Sequence, residues 1–267
     1  MAFGARRGEG GRPEGIRLAM SAGGKTMSEF GATSIVARRG NSLGVFWTVL
    51  VVVGIVAGCL FTAFPEVDLL VSRAFFSSQH GFFGHRVDWV KNLRWTFVCL
   101  YWASLVISIC GVVATRVLKR NWLRMAFAQW LFLVICLGTG PGLIANVILK
   151  DHWGRARPSQ LAEFGGQRTF TPPLLPSNQC KRNCSFISGE ASAIFAPFYA
   201  AAFVVPQWWA ALVTIGTVGG LMAGMIRVSQ GAHFLSDIIF AGVFMALTIA
   251  ALYELIFRTV LSRSRAR

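Results

Sequence analysis

Charge is scarce in this chain. Only 14% of its 267 residues are charged, 54% are hydrophobic, and mean hydropathy is +0.56. That balance excludes an ordinary soluble domain, in which about a quarter of residues are charged. Acidic residues are the scarcest, 11 Asp and Glu against 26 Lys and Arg. No cleavable signal peptide is expected, because no apolar stretch precedes Gly44. The six cysteines offer no second pair at zinc-ligand spacing, so no metal site is expected. The net charge of +15 invites a nucleic-acid reading, but no basic stripe is interleaved with aromatics, so no nucleic-acid partner is expected.

What the chain has instead is long uncharged runs. Val45–Phe64 holds 20 residues without a charge, Trp95–Thr115 holds 21, Met125–Leu149 holds 25 and Trp208–Ile226 holds 19. Each is long enough to cross ~30 Å of hydrocarbon as a helix. Phe186–Pro206 and Phe234–Phe257 are apolar except for Glu190, Asp237 and Glu254. The expectation is an all-α polytopic membrane protein with six transmembrane helices. Residues 1–43, rich in Gly, Arg and Ser, read as a disordered basic tail. Residues 44–258 form the membrane domain and 259–267 a second basic tail. Met20 and Met27 are alternative candidate starts.

The basic residues sit where they set topology. Residues 1–43 carry seven, the loop after span two carries Arg116, Lys119, Arg120 and Arg124, and the tail carries Arg258, Arg263, Arg265 and Arg267. With six spans all three regions lie on one side, which the positive-inside rule makes cytoplasmic. On the outer side, Phe75, Phe76, Phe82, Phe83 and Trp89 suit a segment in the headgroup layer. Cys180 and Cys184 share an outer loop, where a disulfide and two free thiols are both open. Gly138, Gly140, Pro141 and Gly142 interrupt span three, and Pro172, Pro173 and Pro176 predict extended chain.

Three polar clusters fall at span ends on that outer face: Lys150–Pro158, Cys184–Glu190 and Arg227–Asp237. Lys150, Arg157 and Arg227 supply positive charge to one phosphate, with Arg155 as a fourth candidate. Ser188 and Gly189 open a helix, whose free N–H groups favour an anion. If the chain is helical from Phe234, His233 and Asp237 share a face one turn apart. Asp237 then binds one ring nitrogen of His233 and leaves the other to attack phosphorus. Glu190 lies inside an apolar segment, where an ionisable group is expensive and usually functional. Taken singly, the bland readings are a snorkelling helix anchor for the cations, an N-cap for Ser188 and a first-turn acid for Asp237.

Lys-x6-Arg-Pro, Ser-Gly at a helix entry and Arg-x5-His-x3-Asp resemble the three-part signature of the type 2 phosphatidic acid phosphatase family. The resemblance covers roughly Met125–Asp237. It implies phosphate binding by Lys150, Arg157, Ser188, Gly189 and Arg227, a nucleophilic His233 oriented by Asp237, and no cofactor or metal. It also implies a lipid phosphate substrate at the outer leaflet of a bacterial inner membrane, through a phosphohistidine. Lipid A, an isoprenyl diphosphate, phosphatidylglycerol phosphate and phosphatidic acid are the candidate substrates. The chain departs from the family where Glu190 replaces a histidine that protonates the leaving group, and Glu190 is the candidate acid in its place. It departs again at Ile226, where a serine is usual. The alternatives are a lipid phosphotransferase using the same histidine and a non-catalytic lipid-phosphate-binding protein. Nothing in the sequence indicates an oligomeric state.

Overall fold

The computed structural model describes residues 27–119, 123 and 125–265. Residues 1–26, 120–122, 124 and 266–267 lie outside the described residues, as do the expectations made for them. The chain divides into two units, Met1–Phe46 and Trp47–Arg267. Helix α1 runs Met27–Ala63, so helix takes in part of the segment expected to be a tail.

The second unit is helical throughout its membrane part. After α1 come α2 (Glu66–Arg73) and a two-stranded hairpin, β1 (Phe76–Ser77) and β2 (Gly81–Phe82). Then follow α3 (Asp88–Arg116), α4 (Phe127–His152), α5 (Gly189–Val204), α6 (Trp209–Ser229) and α7 (Leu235–Arg265). Asp88 in its first turn and Arg116 in its last complement the dipole of α3. Helix α4 widens to a π-helix over Gly138–Leu149, around Pro141. Proline has no N–H and crowds the carbonyl a turn before it, which a wider turn relieves. Asn146 Nδ2 then donates to the Pro141 carbonyl at 2.7 Å. The expected interruption is therefore a change of pitch, and α4 continues through it. Helix α7 likewise continues through most of the expected C-terminal tail.

Among the described residues, five helices are long and apolar enough to cross a bilayer: Phe46–Ala63, Asp88–Arg116, Phe127–His152, Pro206–Ser229 and Leu235–Phe257. The sixth expected span is α5, with 16 residues. At 1.5 Å per residue it is about 24 Å long, short of ~30 Å of hydrocarbon. It starts late because residues 185–188 are not helical, and Pro206 follows its end. Helix α5 is the centre of the unit, packed by α3, α4, α6 and α7. Its Ile194, Phe195, Ala196 and Ala200 are buried. Gly220 of α6 admits the Phe195 ring, which a Cβ there would meet at 2.5 Å.

The loops between spans fold over one end of the bundle. Phe82, Ala156, Leu161, Phe164 and Phe234 form a buried cluster, with Phe75, Phe76 and Phe170 against it. Of the aromatics expected in the headgroup layer, Phe82 is thus buried and Phe75 and Phe76 are half-buried. The hairpin turns Phe76 and Phe82 inward, where both rings lie within about 5 Å of Phe164, and only Phe83 and Trp89 stay exposed. The proline-rich stretch has no regular structure. Its carbonyls are held from outside, Pro173 by the Trp153 indole and Thr171 by Arg155. Cys180 and Cys184 form a disulfide, which settles that open choice.

Candidate active site

The three polar clusters meet. The Cys184 amide donates to the Lys150 carbonyl, the Ser188 amide to the Asp237 carbonyl, and the Ser185 carbonyl touches the His233 ring. The end of α4, the entry of α5, the α6–α7 turn and the start of α7 are thereby brought together.

His233 lies in the turn between α6 and α7, just before the helix starts at Leu235. Gly231 makes the turn with a φ of +63°, and a Cβ there would strike the Phe82 ring. His233 Nδ1 lies 2.7 Å from the Ser185 carbonyl oxygen. A carbonyl only accepts, so Nδ1 carries the hydrogen and Nε2 keeps its lone pair in the neutral ring. Nε2 is buried and has no hydrogen-bond partner. Burial pushes the imidazole down to about 4, which keeps it neutral near pH 7.

The expected direct bond from Asp237 to His233 is not what orients the ring. Asp237 Oδ2 is 3.7 Å from Nδ1, beyond hydrogen-bond range. It instead accepts from Ser185 Oγ at 2.5 Å and from the Phe234 amide at 2.8 Å. Asp237 thus fixes the two residues that place the ring, Ser185 through its side chain and Phe234 through its backbone. The second contact is also that of a first-turn acid closing a helix start, so the bland reading and the functional one coexist.

Around Nε2 stand the charges. Lys150 and Arg227 are both less than a tenth exposed. Lys150 Nζ lies against the start of α5, where a Cβ on Gly189 would meet it at 2.8 Å and Asn146 Oδ1 at 2.6 Å. Glycine is needed there for close approach. Ser188 caps α5, its Oγ accepting from the Ala191 amide at 3.3 Å. Arg227 donates to Gln230 Oε1 and has its Nε 3.2 Å from Glu190 Oε1. Arg157 donates to both oxygens of Asn183, the residue held inside the Cys180–Cys184 loop.

Glu190 sets a carboxylate among these cations. Its Oε1 accepts from Arg94 at 3.2 Å, and its Oε2 is 3.9 Å from His233 Nε2. Arg94, from the second turn of α3, is a cation the motifs did not reveal. Its only signal was a basic residue directly before an uncharged run. Arg155, the fourth candidate for phosphate, is turned away and fully buried. It donates to Asp68, Asp237, Ser236 and the Thr171 carbonyl and stacks over Phe234 at 4.2 Å. With its donors so engaged, it does not serve the phosphate.

Beside the charges opens a cleft of about 230 Å³. Asn146, Lys150, Gly189 and Glu190 form one part of its lining, Phe97, Val98, Tyr101 and Trp102 another.

The PAP2 superfamily profile matches residues 127–261, which include all three motifs. A lipid A 4'-phosphatase of Francisella tularensis subsp. novicida is 34% identical over 209 residues, 76% of this chain and 91% of that protein. A lipid A 4'-phosphatase of Rhizobium leguminosarum is 31% identical over 73% of this chain and 90% of its own. A lipid A 1-phosphatase of Rhizobium etli is 32% identical over 54% of this chain and 61% of its own. No solved structure matches.

Proposed function

The chain belongs to the PAP2 superfamily, and we propose that it is a membrane phosphatase that removes a phosphate from lipid A, through a phosphohistidine on His233 and without a metal. The observation that carries this reading is the His233 ring. One nitrogen is held by the Ser185 carbonyl, and the other is unbonded beside Lys150, Arg227 and Glu190. The cleft supports an amphiphilic substrate, since it sets an aromatic wall next to the charged end. The relatives named above support lipid A over the other three lipids, and the 4' position over the 1 position.

The reaction runs in two steps. His233 Nε2 bonds to phosphorus as the bond to the lipid oxygen breaks, and that oxygen takes a proton. Water then attacks phosphorus, the N–P bond breaks, and inorganic phosphate leaves. Lys150, Arg157, Arg227 and the start of α5 at Ser188 and Gly189 hold the phosphate oxygens. Glu190 gives the proton in the first step and takes one from water in the second. As ion-paired with Arg94 and Arg227 it is a carboxylate with no proton to give. When the phosphate takes over those guanidinium groups, Glu190 takes up a proton from solvent, which mildly acidic pH favours, and then gives it to the leaving oxygen.

In the membrane we place α5 as the sixth span, shielded by its neighbours, with both termini cytoplasmic and the site on the periplasmic side of the inner membrane. The disulfide fits an oxidising compartment. The test is phosphate release from lipid A, an isoprenyl diphosphate, phosphatidylglycerol phosphate and phosphatidic acid, with His233→Ala as control. Mass spectrometry of the product assigns the position cleaved. Release from lipid A that His233→Ala abolishes is expected. Phosphate appearing on a second lipid instead of in water would make the protein a phosphotransferase.

A further inference from the structure

One buried charge takes no part in phosphate binding. Asp68 lies on α2, outside the segment that the PAP2 profile matches, and its side chain is fully buried. It accepts from Arg155 Nη2 at 2.7 Å, Ser236 Oγ at 2.5 Å and the Ser236 amide at 2.9 Å. Arg155 Nη1 reaches Asp237 Oδ1 at 2.6 Å and Ser236 Oγ at 2.8 Å. We infer that Asp68 is a positioning residue for the reaction, acting on His233 through Arg155 and Asp237. This rests on the reading of His233 as nucleophile.

Charge is the first argument. When His233 Nε2 bonds to phosphorus with Nδ1 still protonated, the ring becomes cationic. A carboxylate 3.7 Å away stabilises that ring. Asp237 paired with Arg155 alone is a neutral couple and does little. Burial raises the Asp68 carboxyl pKa, but both of its oxygens accept from Arg155 and Ser236, which favours the carboxylate; with this second anion on the same guanidinium the three buried side chains carry a net charge of −1. The ring then feels an anion where it would otherwise feel a dipole.

Geometry is the second argument. Arg155 is a planar fork, and its ends are shared between two acids while Nε is fixed on the Thr171 carbonyl. Asp68 also holds the amide of Ser236, the residue before Asp237. It therefore ties α2 to the first turn of α7 and sets where that turn, with Asp237 in it, stands. A purely structural ion pair would lower stability when cut. A positioning residue lowers the rate of the chemical step while leaving phosphate binding intact, because Asp68 touches none of Lys150, Arg157, Arg227 or Gly189.

The experiment uses the full chain in detergent with the lipid phosphate it hydrolyses best, reading kcat, KM and inhibition by inorganic phosphate. Asp68→Asn should lose kcat by about tenfold or more, with KM and phosphate inhibition within about threefold of wild type. Arg155→Met should be slow, and the double variant no slower than Arg155→Met alone, because the first residue acts through the second. Wild-type kcat in Asp68→Asn overturns the inference, and so do losses that multiply in the double variant. If Asp68→Asn does not fold, Ser236→Ala carries the test, since it removes only the hydroxyl bridging Asp68 and Arg155. It should lose kcat severalfold at constant KM, and unchanged kcat overturns the inference. Failure of the underlying reading looks different: His233→Ala would still turn over.

Discussion

Replacing Asp237 by Asn removes one charge and almost no volume. Its Oδ1 faces Arg155, which only donates, so the amide oxygen of the Asn must turn that way. The amide NH2 then faces the Phe234 N–H and Ser185 Oγ. Ser185 can rotate its hydroxyl to accept, but the Phe234 N–H is left against another donor. One buried donor without a partner costs about 1–3 kcal/mol of stability. The electrostatic loss is larger. A full charge 3.7 Å from the ring is worth about 4 kcal/mol at an effective dielectric near 20. A loss of that size in the transition state is about a thousandfold in kcat. The phosphate ligands are untouched, so KM should move little. Single-turnover release of phosphate, with thermal unfolding as control, reads both effects. A folded Asp237→Asn protein within about tenfold of wild-type kcat would refute the reasoning.

Three further outcomes are expected. Gly189→Ala places a methyl on the Lys150 ammonium and the Asn146 amide, both ends of flexible side chains. Stability should change by under about 1 kcal/mol, while KM rises about tenfold as Lys150 is pushed off the phosphate. The His233 ring, pushed down to about 4 by burial, should stay neutral on lowering pH until about that value. Nitrogen-15 NMR of labelled histidine checks this, and a ring titrating near 6.5 would refute it. Cys180→Ser with Cys184→Ser frees the loop that carries Asn183, the acceptor for Arg157. KM should rise several-fold at nearly constant kcat, measurable by steady-state phosphate release.

The sequence by itself determined the class of this protein and the motifs from which its candidate site was read. Uncharged runs about as long as a bilayer is thick allow only helices. Residue types and spacing singled out Lys150, Arg157, Arg227, Gly189 and His233, because phosphate chemistry needs fixed cations and a nucleophile whatever the packing. Partnership was decided only in three dimensions. Arg155 and Arg157 stand two apart, and nothing in their spacing says that one is buried between two acids while the other reaches Asn183. The acceptor for His233 is a backbone carbonyl, which every residue has and no sequence pattern marks. Arg94 and Asp68 come from the early turns of α3 and α2, far along the chain from the motifs. Such contacts are long-range products of packing, fixed by how α5 is enclosed and how the loops close over it, and local chemistry does not encode them.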